Sequence, residues 1–89
     1  MPYIKESDRE DINWIVDNLA ARLSEKRMTG NLNYFLYKLF AKLVKLNVIH
    51  NYETMSRFIA ELEACKLEIY RKKIAPYEEK KILENGDVY

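Results

Sequence analysis

The groups that could do chemistry in this sequence are few, and they gather towards one end. There is one histidine, His50, and one cysteine, Cys65. A nucleophile of the Ser-His-Asp or Cys-His kind needs its base within hydrogen-bond reach. With a single histidine and a single cysteine, such a set would be a coincidence of folding. No second histidine or suitably spaced acid gives His50 a metal set, so it reads as a linker residue. Cys65 falls on an apolar stripe and reads as a small core filler rather than a nucleophile. A lone cysteine also excludes an intrachain disulfide and a cysteine-based zinc cluster.

The polar and aromatic residues from 66 onwards form the richer set. Arg71 offers a planar fork of donors that suits phosphate, and Lys66, Lys72 and Lys81 can add charge. Tyr70, Tyr77 and Tyr89 can stack on a base or close a pocket. Asn85 and Asp87 can read a base edge or ribose hydroxyls. The expected ligand-binding set is therefore Lys66, Tyr70, Arg71, Tyr77, Lys81, Asn85, Asp87 and Tyr89, for a small anionic, nucleotide-like ligand. It calls for no catalytic residue, metal or cofactor. The competing reading is internal: Arg71, Glu78, Lys81 and Asp87 pair with one another and fix the local backbone.

An enzymatic alternative uses carboxylates. Small all-α nucleotide pyrophosphohydrolases of the MazG type hold magnesium with carboxylates on two adjacent helices, and magnesium wants near-octahedral oxygen ligands. This chain has Glu61, Glu63 and Glu68 in one helix and Asp8, Asp11 and Asp17 in another. It departs from that pattern, because acids paired at i, i+3 or i+4 on both facing helices are missing. A third alternative is a helical protein–protein interaction module.

The elements that must position these residues are helices. Ser7-Asp8-Arg9-Glu10 has the form of a capping box. Ile12, Ile15, Val16, Leu19, Ala20 and Leu23 follow helical spacing, which predicts helix one from about Asp8 to about Lys26. Trp14 lies off that stripe, either over the domain edge or as an anchor in a subunit interface or ligand wall. Gly30 ends the connection, and Asn31 is the expected cap of helix two, Leu32 to Leu46. Leu32, Phe35, Leu36, Leu39, Phe40, Leu43, Val44 and Leu46 give helix two a wide apolar face. Lys38, Lys42 and Lys45 line its other side, as a solvated row or an anion site. Asn33, Tyr34 and Tyr37 stand at its start, where free N–H groups attract anions.

Val48-Ile49-His50 joins helices two and three, and Asn51 caps helix three. Met55, Phe58, Ile59, Leu62, Cys65, Ile69 and Ile74 form its buried stripe. Arg57–Glu61 and Glu68–Lys72 are candidate i,i+4 ion pairs on the opposite face. Ala75-Pro76 interrupts the helix, either as a kink or as the start of a fourth helix reaching about Glu84. Asn85-Gly86 is a helix stop, with Gly86 in the left-handed position. The Asp87-Val88-Tyr89 ending is expected to dock back on a long helix.

Eighty-nine residues make a single helical domain, 1–89. Hydrophobic content of 48% beside 33% charged residues suits amphipathic helices and argues against disorder. Two glycines and two prolines are too few for a many-turned β fold. The fold class is therefore all-α, an antiparallel three-helix bundle with a long, proline-interrupted C-terminal helix. From Tyr52 to Ile74 that helix is about 35 Å long at about 1.5 Å per residue, as wide as a whole domain of this size. A projecting apolar stripe needs a partner, which predicts a homo-oligomer. A net charge of +1 supplies no field for DNA. No signal peptide, twin-arginine leader or membrane span is legible, so the expected setting is cytoplasmic, without a membrane partner.

The C-terminal half resembles a short, uncharacterised all-α family of phages and prokaryotes. The likeness is carried by Glu63, Lys66-Leu67-Glu68-Ile69-Tyr70-Arg71, Ala75-Pro76-Tyr77-Glu78, Lys81 and Glu84-Asn85-Gly86-Asp87-Val88-Tyr89. Leu32-Asn33-Tyr34 and Pro2-Tyr3-Ile4 extend it over most of the chain. The resemblance implies a helical fold and weight on the C-terminal polar and aromatic set, but no activity. Phage proteins that sequester immune nucleotide signals are often small helical oligomers. The expected function is accordingly a non-enzymatic, homo-oligomeric binder of that sponge type, in the host cytoplasm if phage-encoded.

Overall fold

Three runs of helical spacing become three helices in the computed structural model, which describes residues 2–89. Met1 lies outside the described residues. The helices are α1 (Glu10–Glu25), α2 (Met28–Lys45) and α3 (Tyr52–Ile69). A π-helical turn, Tyr70–Ile74, carries α3 directly into α4 (Ala75–Asn85). The fold is thus all-α, with a long final helical run. Two compact units divide the chain, Tyr3–Ser56 on one side and Arg57–Tyr89 with Pro2 on the other.

In the Tyr3–Ser56 unit the expected Ser7 capping box is not made. Glu6–Asp8 is instead a 3-10 turn, closed by the Arg9 N–H donating to the Glu6 carbonyl at 3.1 Å. A serine cap needs extended backbone at the cap position. Here the residue before α1 is Arg9, already turned at φ −89° and ψ −20°. Its side chain folds back, and Nε donates to the Ile4 carbonyl at 2.8 Å.

Lys26 is extended and ends α1. Thr29 is extended and Gly30 has φ +87°, so regular helix resumes only beyond Gly30, as the glycine predicts. Asn31 does not cap it. Its Nδ2 donates backwards to the Arg27 carbonyl at 2.6 Å, because the preceding turn already occupies the cap position. The short connection leaves α1 and α2 in contact with each other.

α2 closes in a Schellman motif. The Val48 N–H donates to the Leu43 carbonyl at 2.9 Å, and the Asn47 N–H to Val44 at 3.0 Å, with Asn47 at φ +62°. The Ile49 N–H also reaches the Leu43 carbonyl, at 3.1 Å. That wrap tucks Ile49 inward; it is 4% exposed, the one buried residue among those described. Leu19, Leu23, Leu32, Phe35, Leu36, Phe40 and Leu43 are half-buried.

Asn51 caps α3 as its residue type predicts. Its Oδ1 accepts the Thr54 N–H at 2.9 Å, while Thr54 Oγ1 accepts the N–H groups of His50 and Asn51 at 2.9 and 3.1 Å. This is a reciprocal cap, with Thr54 in the place usual for a glutamate.

The Arg57–Tyr89 unit contains only one helical run, so its apolar stripe has no second helix of the unit to pack on. Ile59, Ile69 and Ile74 are exposed. Cys65 is exposed too, against the expectation that it fills a core. No helix among the described residues is long and apolar enough to cross a membrane.

Candidate ligand-binding site

The break at Pro76 is absorbed without a turn. In an α-helix the proline ring collides with the carbonyl four residues back and removes a hydrogen bond. Here the preceding turn widens, and the Ala75 N–H donates to the carbonyl of Tyr70, five residues back. Ile74 and Ala75 keep right-handed helical dihedrals. The helix therefore neither folds over at Ala75-Pro76 nor brings its ending back.

That widened turn changes which residues share a face. Two α turns take about seven residues, so i and i+7 normally align. One extra residue in the π turn moves the alignment to i+8, and the Tyr70 hydroxyl donates to the Glu78 carboxylate. This hydrogen bond, and then the negative charge of Glu78, push the Tyr70 hydroxyl above its ordinary pKa of 10.0. One turn on, Lys81 Nζ lies 5.6 Å from the centre of the Tyr77 ring, a cation–π contact.

The other members of the expected C-terminal set are engaged locally. Lys66 pairs with Glu63 at 2.9 Å, Arg71 Nε with Glu68 Oε1 at 2.8 Å, and Lys81 with Glu84 at 3.1 Å. These three pairs are spaced i,i+3. Asn85 is the last residue of α4. Gly86 follows at φ +85°, the positive φ expected of it, and ψ 155° sends the chain on extended. Asp87 Oδ1 accepts the next N–H, of Val88, at 2.6 Å. Val88 and Tyr89 are fully exposed, so the expected docking of the ending is not seen. Lys66 and Asn85 stand about 28 Å apart along the helix at about 1.5 Å per residue. Within one chain, Tyr70 meets Glu78 and Tyr77 meets Lys81, while the eight residues are strung along the length of the helix and the ending that follows it.

A concave site lies elsewhere, between α1 and α2 within the Tyr3–Ser56 unit. It is a groove of about 390 Å³. Leu19 and Leu23 of α1 and Phe35 and Leu39 of α2 give it an apolar lining. Arg22 contributes from the last turn of α1 and Lys26 from the extended residue that ends it, while Lys38 and Lys42 stand at i,i+4 on α2. Asn31 and the exposed Tyr34 complete the lining from the start of α2. No carboxylate lines the groove.

The sequence offers Lys38 and Lys42 as a row with two readings, and Lys26 only as the approximate end of helix one. Arg22 it does not single out. The available signal was a cation pair at i,i+4 beside an apolar stripe, present on both sides of Gly30. Among the described residues no three His, Cys, Asp or Glu side chains come together as a metal site.

The model of the family DUF6899, a domain of unknown function, matches residues 1–88. The chain belongs to the DUF6899 family. The match takes in both compact units and, apart from Tyr89, every residue weighed above as a ligand contact. No curated protein and no solved structure matches this DUF6899 chain.

Proposed function

We propose that the protein is a non-enzymatic, homo-oligomeric binder that holds a small anionic, nucleotide-type ligand without turning it over. The observation that carries the assembly part is the surface. The chain exposes 8335 Å². A folded monomer of 10.7 kDa exposes about 5500 Å² by the usual scaling with mass, so the surplus is about 2800 Å². Obligate interfaces bury about 2000–5000 Å² in total, about 1000–2500 Å² on each partner, so a surplus of this size on one chain is enough for such an interface. The exposed residues are of the interface kind. Trp14 is 70% exposed on α1, and Ile12, Ile15 and Val16 are exposed near it in the sequence. Tryptophan is enriched among the residues that dominate binding energy. The ligand part is supported by the groove's cations. If the gene is phage-borne, as the resemblance implies, holding a host nucleotide signal in the host cytoplasm is the role such a binder fills.

Light scattering on the eluting protein tests the assembly, with fluorescence of the single Trp14 as a second readout. At micromolar concentration the expected result is a dimer or larger species. Its Trp14 emission should shift to the red on dilution, and Trp14→Ala should weaken association. A monomer at micromolar concentration overturns the assembly. A second reading, a helical interaction module, draws on the same exposed apolar faces. It predicts a monomer that assembles only with a different protein.

A further inference from the structure

We propose that the groove between α1 and α2 is the ligand site, and that it takes a nucleotide: phosphates on the flanking cations and the base against Tyr34. This deepens the binder reading above and rests on it. Four observations converge. First, the charge in the groove is of one sign, with Arg22, Lys26, Lys38 and Lys42 present and no carboxylate. Against a chain whose net charge is only +1, that is a local concentration of positive charge. Second, the cations have no carboxylate partner among the described residues. None stands within ion-pair distance of any of the four, whereas Lys66, Arg71 and Lys81 each hold one.

Third, the spacing suits a polyanion of small size. Lys38 and Lys42, at i and i+4, stand about 6 Å apart on the face of α2, and Arg22 and Lys26 line the same groove at the end of α1. Fourth, the lining between the tracks is apolar, and Tyr34 is 66% exposed. An aromatic face free at a groove edge suits stacking of a base, and about 390 Å³ falls in the range of small-ligand pockets. Inorganic phosphate or pyrophosphate would use the cations and leave the apolar lining and Tyr34 unused.

Equilibrium titration of the full chain against ATP, a cyclic dinucleotide and pyrophosphate tests this, with assembly state followed separately by light scattering. At least one nucleotide should bind about tenfold or more tightly than pyrophosphate. Arg22→Glu and Lys38→Glu should each weaken it about tenfold or more, as loss of a charge-assisted contact does. Both positions are exposed, so the helices should persist by circular dichroism. Tyr34→Ala should weaken the nucleotide and leave pyrophosphate unchanged, while Lys66→Glu and Arg71→Glu should change neither. Ligand recovered intact after denaturation agrees with holding without turnover. Pyrophosphate binding as tightly as both nucleotides overturns the assignment. If Arg71→Glu abolishes binding and the groove variants do not, the site lies on the long helix; the groove fails while the binder reading stands. If neither nucleotide binds, both the groove and the ligand part of the binder reading fail, whatever the assembly state.

Discussion

The Tyr70 hydroxyl donates a hydrogen bond to the Glu78 carboxylate across eight residues of one continuous helical run. In an unbroken α-helix these two side chains would point in clearly different directions. They meet because the Tyr70–Ile74 turn holds one residue more than an α turn. A π turn ahead of a proline thus turns a break into a change of register. Such turns are frequent at functional positions, and this one lies among the residues that carry the family resemblance.

The pair should be visible in titration. The Glu78 hydrogen bond and charge hold Tyr70 protonated above its ordinary 10.0 in the folded chain. Glu78→Ala should lower the pH at which Tyr70 ionises, read as tyrosinate absorbance by difference from Tyr70→Phe. The sign for stability follows. The pair's contribution is full below the unfolded value and is lost as pH rises through the raised folded value. Wild type and Glu78→Ala should therefore differ most at neutral pH and converge above pH 10. A Tyr70 titration identical in the two proteins would show that the bond is absent in solution.

Ile49 is the second test. It is 4% exposed although it lies between two helices. Ile49→Ala should cost about 2–5 kcal/mol, as truncation of a buried isoleucine does. The check is urea unfolding at fixed protein concentration, because self-association would make stability depend on concentration. Ile59→Ala, on an exposed position of the long helix, should cost less in the isolated chain. An Ile59 variant that loses as much as the Ile49 variant would place Ile59 inside an interface.

What could be read from the sequence follows from how local each signal is. The Asn51 cap, the end of the connection at Gly30 and the positive φ of Gly86 depend on one residue type each, and all three are present. Ile49 was legible only as a connector, because helical periodicity says nothing about a residue outside a helix. Its burial comes from the Schellman wrap that Asn47 makes possible at φ +62°. Proline marked the break at 76, but a pattern of apolar positions cannot distinguish a kink from a widened turn. The groove was illegible for another reason. Its cations come from two helices, and only the Thr29–Gly30 reversal sets Arg22 and Lys26 across from Lys38 and Lys42. Cys65 was misplaced because an apolar stripe was equated with a buried one, and its unit has no second helix to cover it.

The cap of α3 gives a third prediction. Asn51→Ala removes the acceptor for the Thr54 N–H, and Thr54→Val removes the acceptor for two N–H groups. Each should cost about 1 kcal/mol, as loss of a helix cap does. The two side chains also bond to each other, Thr54 Oγ1 to Asn51 Oδ1 at 2.9 Å, so their effects should couple. The double variant should lose less than the sum of the single losses in chemical denaturation. Strict additivity would mean that the two halves of the cap act independently.

Pro76→Ala tests the origin of the π turn. Proline has no N–H to give and its ring needs room at the carbonyl of residue 72, so the widened turn relieves a clash that alanine does not have. With alanine at 76, the helix is free to recover the α register, which sets Tyr70 above Tyr77 and turns Glu78 away. Helical content by circular dichroism should hold or rise, since alanine is the better helix former. The raised ionisation of Tyr70 should then fall back towards 10.0 although neither Tyr70 nor Glu78 has changed. If Tyr70 stays raised in Pro76→Ala, the extra residue is held by something other than the proline. The exposed stripe on either side of the turn, clamped by a second copy, is then the place to look, and the raised value should be lost on dilution to monomer.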